Sequence, residues 1–75
     1  MQELVAYIAK QLVEHPDQVE VSSQEQDGSL NLTLKVAEMD KGKVIGKQGK
    51  VVKAIRALVG VAAQKQGKKA NLEIA

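Results

Sequence analysis

The sequence predicts an α+β domain with the element order α-β-β-α-α-β, and three patterns support this fold class. Apolar residues recur at helical spacing near the N-terminus and again after residue 50, which indicates two amphipathic helices. Between them, in SLNLTLKV, leucines alternate with polar residues as in a strand that buries one face. Asp27-Gly28, just before that strand, is a hairpin turn signal. We therefore expect a three-stranded sheet with all three helices packed on one face.

In the N-terminal half, the pattern predicts a helix over residues 2–14. His15 and Pro16 end it, because proline lacks an N–H donor and disfavours helix in the residue before it. A weaker alternating pattern predicts a strand over about 18–25, paired across the hairpin with the leucine-rich strand over residues 29–36.

In the C-terminal half, a short helix is predicted from Asp40, as its N-cap, to Ile45. A second long helix follows Gly49 and carries a continuous apolar stripe. Gly67 is the expected stop of this helix. Alternation resumes at residues 72–74, which predicts a last short strand.

The length and composition predict a single domain over residues 1–75 with one modest, aliphatic core. Tyr7 is the only aromatic residue. Cysteine is absent, which excludes disulfides, thiolate chemistry and cysteine-based metal sites and is consistent with a reducing cytoplasm. The N-terminal segment lacks the basic region of a signal peptide, and no apolar run approaches the length that spans a bilayer. We expect a cytoplasmic protein that does not enter a membrane.

Charge is strongly segregated along the chain. Residues 1–40 contain two bases and eight acids, a formal net charge of −6, whereas residues 41–75 contain nine bases and one acid, a formal net charge of +8. Six bases and no acid fall within residues 41–56, namely Lys41, Lys43, Lys47, Lys50, Lys53 and Arg56. Such a run predicts a polyanionic partner, most commonly nucleic acid, with a solvated helix face as the alternative.

Residues 44–50, VIGKQGK, place two glycines three positions apart between the predicted short and long helices. Glycine permits positive φ and close approach of another chain. The free N–H groups and the dipole at the start of a helix favour an anion such as phosphate. Lys47 and Lys50 add positive charge, so this loop is predicted to bind phosphate.

VIGKQGK resembles the GxxG signature of KH domains, and the helix-first order is similar to the type II, bacterial form of that fold. Over essentially its whole length, the chain resembles the small single-KH RNA-binding proteins of bacteria, which are described as RNA chaperones. The resemblance implies binding of about four nucleotides of single-stranded RNA per domain and a role as an RNA chaperone or post-transcriptional regulator. It also implies a homodimer, or a heterodimer with a larger Jag-like KH protein.

On the matching positions, the resemblance implies three groups of site residues. The loop that clamps the RNA backbone is Gly46, Lys47, Gln48 and Gly49. The apolar floor under the bases is Val44, Ile45, Val52 and Ile55, for which core packing is the alternative explanation. The phosphate neighbours are Lys43, Lys50, Lys53 and Arg56. For Lys47 and Gln48, the alternative is a solvent-exposed turn.

No pattern indicates an enzyme, a cofactor or a metal site. His15 is the only histidine and belongs to the helix stop, while Glu38 and Asp40 are explained as capping residues of the short helix. Neither a Walker A loop nor a GxGxxG fingerprint is present. The alternative function is a protein-interaction KH domain that acts as a subunit of a larger complex and binds little RNA itself.

Overall fold

The computed structural model describes residues 1–75 and contains three α-helices and one three-stranded sheet in the predicted order. The helices are α1 (Gln2–Leu12), α2 (Lys41–Ile45) and α3 (Lys50–Lys65). The strands are β1 (Glu20–Gln26), β2 (Ser29–Lys35) and β3 (Lys69–Ile74). Single 3₁₀ turns cover Pro16–Gln18, Glu38–Asp40 and Lys47–Gly49.

The sheet is mixed, with β2 in the centre. β1 runs antiparallel to β2, and their register places Val21 opposite Leu34. β3 runs parallel to β2 and places Leu72 beside Leu32. This topology, together with the helix-first order, is consistent with the type II KH fold and confirms the predicted fold class.

A two-residue turn joins β1 to β2. Gln26 and Ser29 face each other across it, and both turn residues have positive φ, 52° at Asp27 and 78° at Gly28. Positive φ at both positions is typical of the type I′ turn, whose twist matches that of the flanking strands. The predicted hairpin is confirmed.

The core lies on one face of β2. Leu30, Leu32 and Leu34 are buried, whereas Asn31 and Lys35 between and after them are exposed. The cluster that packs on the leucines contains Val5 and Ala9 of α1, Val44 of α2, Ile55 and Val59 of α3, Leu72 of β3, and Val36. All three helices thus cover the same face of the sheet, as the alternation predicts.

The N-terminal boundaries differ from the predicted ones. α1 ends at Leu12 rather than at residue 14, because Val13 is already extended (φ −99°, ψ 160°). β1 begins at Glu20 rather than near residue 18, because Pro16–Gln18 form a 3₁₀ turn. Proline suits the first position of that turn, because its fixed φ matches the turn. Its missing N–H costs nothing there, since the first N–H of a helical turn has no partner within it.

The end of α3 confirms Gly67 as a helix stop. Gly67 N–H donates to the Gln64 carbonyl, and Lys68 N–H donates to the Ala63 carbonyl, each at 3.0 Å. These two bonds form the Schellman pattern that satisfies the last carbonyls of a helix. The chain then turns directly into β3. None of the three helices is long and apolar enough to cross a membrane.

We predict that Leu32→Ala lowers the free energy of unfolding by about 2–5 kcal/mol, because it leaves a cavity in the centre of the core. Only 14 of 75 residues are buried, so a cavity at one of them removes a large share of the core. Lys35→Ala, at an exposed position of the same strand, should change stability by less than about 0.5 kcal/mol. Urea unfolding followed by circular dichroism measures both, and equal losses would contradict the core described here.

Candidate nucleic-acid interface

The two glycines of VIGKQGK occupy the boundaries of two helices. Gly46 is the C-cap of α2, and Gly49 is the N-cap of α3. Lys47 and Gln48 lie between them and are exposed. Gln48 itself has a left-handed backbone (φ 58°, ψ 25°), which turns the chain sharply between the helices. The loop is therefore a tight, outward-facing connection.

Gly46 is required by packing inside the protein. Its backbone (φ 76°, ψ 173°) lies in a region that is essentially restricted to glycine. A Cβ at this position would lie 2.8 Å from the Cβ of Val51 and 2.9 Å from its backbone nitrogen. Our prediction explained this glycine by the approach of a phosphodiester backbone. The structure adds an internal reason, because the first turn of α3 already occupies the space.

Gly49 has a different environment. Its backbone is left-handed (φ 74°, ψ 16°), and no atom lies closer than 3.8 Å to a Cβ built on it. No side chain caps the start of α3. The Lys50 N–H donates to the Lys47 carbonyl of the preceding 3₁₀ turn, but no side chain accepts from the N–H groups that follow, so this 16-residue helix presents a partially positive end beside the loop.

The structure divides the basic run into paired and unpaired members. Lys41 Nζ lies 3.3 Å from Glu38 Oε2, Lys43 Nζ lies 2.6 Å from Glu14 Oε1, and Arg56 Nε donates to the Leu72 carbonyl at 3.1 Å. The members with neither a carboxylate within 4.0 Å nor a side-chain hydrogen bond are Lys47, Lys50 and Lys53. All three are exposed, and all three lie in the GxxG loop or the first turn of α3.

Three residues of the predicted apolar floor are buried, and one is exposed. Val44, Val52 and Ile55 are at most 6% exposed, and Val44 and Ile55 belong to the main core cluster. The alternative explanation, core packing, therefore describes where these side chains lie. Ile45 is 38% exposed and is the member of this group whose side chain reaches the surface next to Gly46.

The side-chain capping roles predicted for Glu38 and Asp40 are wrong. Asp40 stands at the N-cap position of α2, but its side chain makes no capping hydrogen bond. The carboxylate is fully buried and accepts the backbone N–H of Glu14 at 3.2 Å and of His15 at 3.1 Å. It thus fastens the chain after α1 to the start of α2, which also explains why α1 does not continue to residue 14.

Arg56 connects α3 to the free edge of β3, a contact the sequence does not reveal. A shallow cavity of about 390 Å³ lies at this edge. Its lining residues are Asn31, Arg56, Val59, Ala70, Asn71, Leu72 and Glu73. Among them, Asn71 Nδ2 donates to Asn31 Oδ1 at 2.9 Å. Only the parallel pairing of β3 with β2 brings these residues together.

His15 contributes its backbone to the Asp40 contact, and its ring Nε2 lies 2.9 Å from Met39 Sδ. No three His, Cys, Asp or Glu side chains in the structure are grouped closely enough to hold a metal ion.

A sequence model of the family described as "KhpA/KhpB, KH domain" matches residues 2–74. The chain belongs to this family of KH-domain proteins. The KhpA/KhpB match spans the whole fold described above, from the first residue of α1 to the last residue of β3.

Curated members of the family are similar to this chain over nearly their full length. The protein named "RNA-binding protein KhpA" from Listeria monocytogenes is 49% identical over 74 residues, which are 99% of this chain and 97% of that protein. Its namesake from Clostridium acetobutylicum is 50% identical and covers 99% of both chains. The namesake from Bacillus subtilis is 43% identical over 99% of this chain and 91% of that protein.

We predict that Gly46→Ala is much more destabilising than Gly49→Ala. At Gly49 the change forces an L-residue into the left-handed region, which costs about 1–2 kcal/mol. At Gly46 the backbone lies in a region still more restricted to glycine. At Gly46, the new methyl group also meets Val51, so the total loss should be about 3 kcal/mol or more. Denaturant unfolding of the two variants measures the difference, and equal losses would show that Val51 moves aside without cost.

We also predict that Asp40→Ala lowers the free energy of unfolding by about 1–3 kcal/mol, because two backbone N–H groups lose their acceptor. Asp17→Ala provides the matched control at an exposed position and should change stability by less than about 0.5 kcal/mol. Thermal and urea unfolding compare the two variants. If the Asp40 variant is as stable as the control, the contact of Asp40 with the backbone of residues 14 and 15 does not stabilise the fold.

Proposed function

We propose that this chain binds single-stranded RNA through its GxxG loop. The observation that carries the proposal is the set of three unpaired lysines, Lys47, Lys50 and Lys53, beside the uncapped start of α3. The printed name of the curated relatives, "RNA-binding protein KhpA", supports RNA as the polyanion.

In the proposed complex, Gly46 to Gly49 clamp the backbone of about four nucleotides, as in other KH domains. Lys47, Lys50 and Lys53 neutralise phosphates on either side of the loop. Ile45 offers an exposed apolar side chain to a base. The buried residues Val44 and Val52 support the floor from beneath, and Lys43 and Arg56 lie at its margins, each already engaged with another group.

This binding should depend mainly on phosphate contacts. Tyr7 on α1 is the only aromatic residue, so the stacking of about 1–3 kcal/mol per base that other single-strand binders use is not available at the loop. Three or four phosphate contacts to a single strand predict a salt dependence of log affinity with a slope of about −2 to −3. A single domain should therefore bind weakly.

Weak binding by one domain favours association with a second KH chain, and we include this in the proposal. The partner is a copy of this chain or a larger Jag-like member of the family, whose model covers both KhpA and KhpB. Leu58 and Val61 of α3 support such an association, because both are 56% exposed and lie three residues apart on one side of the helix. We propose that the assembly acts in the cytoplasm as an RNA chaperone or post-transcriptional regulator, without cofactor or enzymatic activity.

The second candidate function is a protein-interaction domain with little RNA binding of its own. The same exposed pair on α3 favours it, because apolar side chains grouped on a surface commonly mark a protein partner. The two candidates differ at the loop. RNA binding requires its positive charge, whereas protein interaction through α3 does not.

We predict that the double variant Lys47→Asp, Gln48→Asp abolishes RNA binding and remains folded. It removes one positive charge and adds two negative charges beside the bound backbone. Both positions are exposed, and aspartate tolerates the left-handed backbone of residue 48 better than most residues. Fluorescence anisotropy with a short single-stranded RNA measures binding, and circular dichroism measures folding and the melting temperature.

The sequence offers a matched control in Lys10-Gln11, the same dipeptide at exposed positions of α1. Changing both of these residues to Asp alters the net charge equally, but in α1 rather than in the loop. The control should keep most of the RNA affinity. Loop and control variants that bind RNA equally well, while folded, would refute the role of the loop and leave the protein-interaction function.

A further inference from the structure

Glu14, which follows α1, contacts the helix that leads into the GxxG loop. Its carboxylate Oε1 lies 2.6 Å from Lys43 Nζ. Its backbone N–H donates to Asp40 Oδ1 at 3.2 Å, and the next residue, His15, donates to Asp40 Oδ2. Glu14 is thus attached to α2 through both its main chain and its side chain.

The main-chain contact makes the ion pair different from an ordinary surface pair. Exposed pairs usually contribute little, because two long, mobile side chains must both be ordered. Here Asp40 is fully buried and holds the backbone of Glu14 in place. Asp40 and Lys43 are three residues apart and therefore lie on the same side of the helical turn. The backbone contact therefore already places the side chain of Glu14 next to Lys43, before the ion pair forms.

The pairing of Lys43 contrasts with the lysines that follow it. Lys43 lies three residues before Gly46, whereas Lys47, Lys50 and Lys53 follow Gly46 and have no carboxylate within 4.0 Å. A phosphate chain that crosses the loop meets free ammonium groups on the α3 side. On the α2 side, it would meet a lysine that is already paired with a carboxylate.

We propose that Glu14 is a specificity-determining residue whose carboxylate takes the place of an RNA phosphate at Lys43. It thereby ends the phosphate-binding surface at the GxxG loop and limits the length of RNA that one domain contacts. This inference rests on the RNA-binding function proposed above.

The test is Glu14→Gln, which removes the charge and retains the backbone N–H that Asp40 accepts. Affinity for a short polyuridine RNA should increase about two- to fivefold at low salt, the range that release of one exposed pair allows. The slope of log affinity against log salt should become steeper by about 0.7, which corresponds to one further phosphate contact.

Glu25→Gln is the matched control, because Glu25 holds Lys68 in an ion pair of the same 2.6 Å length at the far end of α3. It changes the net charge equally and should leave the salt slope unchanged. In the Glu14→Gln background, Lys43→Gln should return affinity and slope to the values of the parent. Equal gains for the two Glu→Gln variants, or a gain that survives Lys43→Gln, would overturn the inference.

Retention on immobilised heparin, a polyanion that needs no base recognition, separates this inference from the proposed function. If the parent fails to bind RNA, that function fails. In that case, elution of Glu14→Gln from heparin at a higher salt concentration than Glu25→Gln would still support the inference that the Glu14 carboxylate competes with other anions for Lys43. If RNA binding is intact but neither measurement distinguishes the two variants, the role of Glu14 alone is refuted.

Discussion

The single buried face of β2 is the constraint on which the other elements depend. Leu30, Leu32 and Leu34 offer one row of aliphatic side chains, and each helix contributes small or branched residues that pack on it. With no aromatic residue in the core and few buried residues in total, the chain has no second apolar surface inside the fold. The helices must therefore share one face of the sheet, and the other face is left polar. The N-terminal end of α3 and the loop before it are held in place by this packing.

The GxxG loop is shaped from both sides by contacts within the protein. On the α3 side, Val51 packs into the space where Gly46 lacks a Cβ. On the α2 side, the helix has only five residues, too few to be stable alone, and is held by Val44 in the core and by the buried carboxylate of Asp40. A loop fastened in this way needs little ordering when a ligand binds, which would reduce the entropic cost of the phosphate-based interaction proposed above.

Ion pairs within the protein leave only some of the bases in residues 41–56 free to meet a ligand. Acids from the N-terminal half reach into the C-terminal half, so that Glu14 holds Lys43 and Glu25 holds Lys68. Within residues 41–56, the lysines that remain unpaired, Lys47, Lys50 and Lys53, are grouped around the loop. Part of the positive charge of the C-terminal half is thus concentrated around the loop, which gives that surface a stronger field than the formal net charge of +2 suggests.

Local patterns by themselves determined the element order, the hairpin at Asp27-Gly28, the stop at Gly67 and the position of the loop glycines, because periodicity and turn chemistry act over a few neighbouring residues. The sequence also showed that residues 41–56 are basic, but it did not indicate which of the six bases form ion pairs. Only the tertiary structure decided which of them are free, why Gly46 must lack a Cβ, and that Asp40 fastens α1 to α2 instead of capping a helix. The contacts of Glu14 with Lys43, of Asp40 with the backbone after α1 and of Arg56 with Leu72 join residues far apart in the chain, which are brought together only when the helices pack on the leucines of β2. The contact of Gly46 with Val51 is closer in sequence but depends on how α2 and α3 meet at the loop.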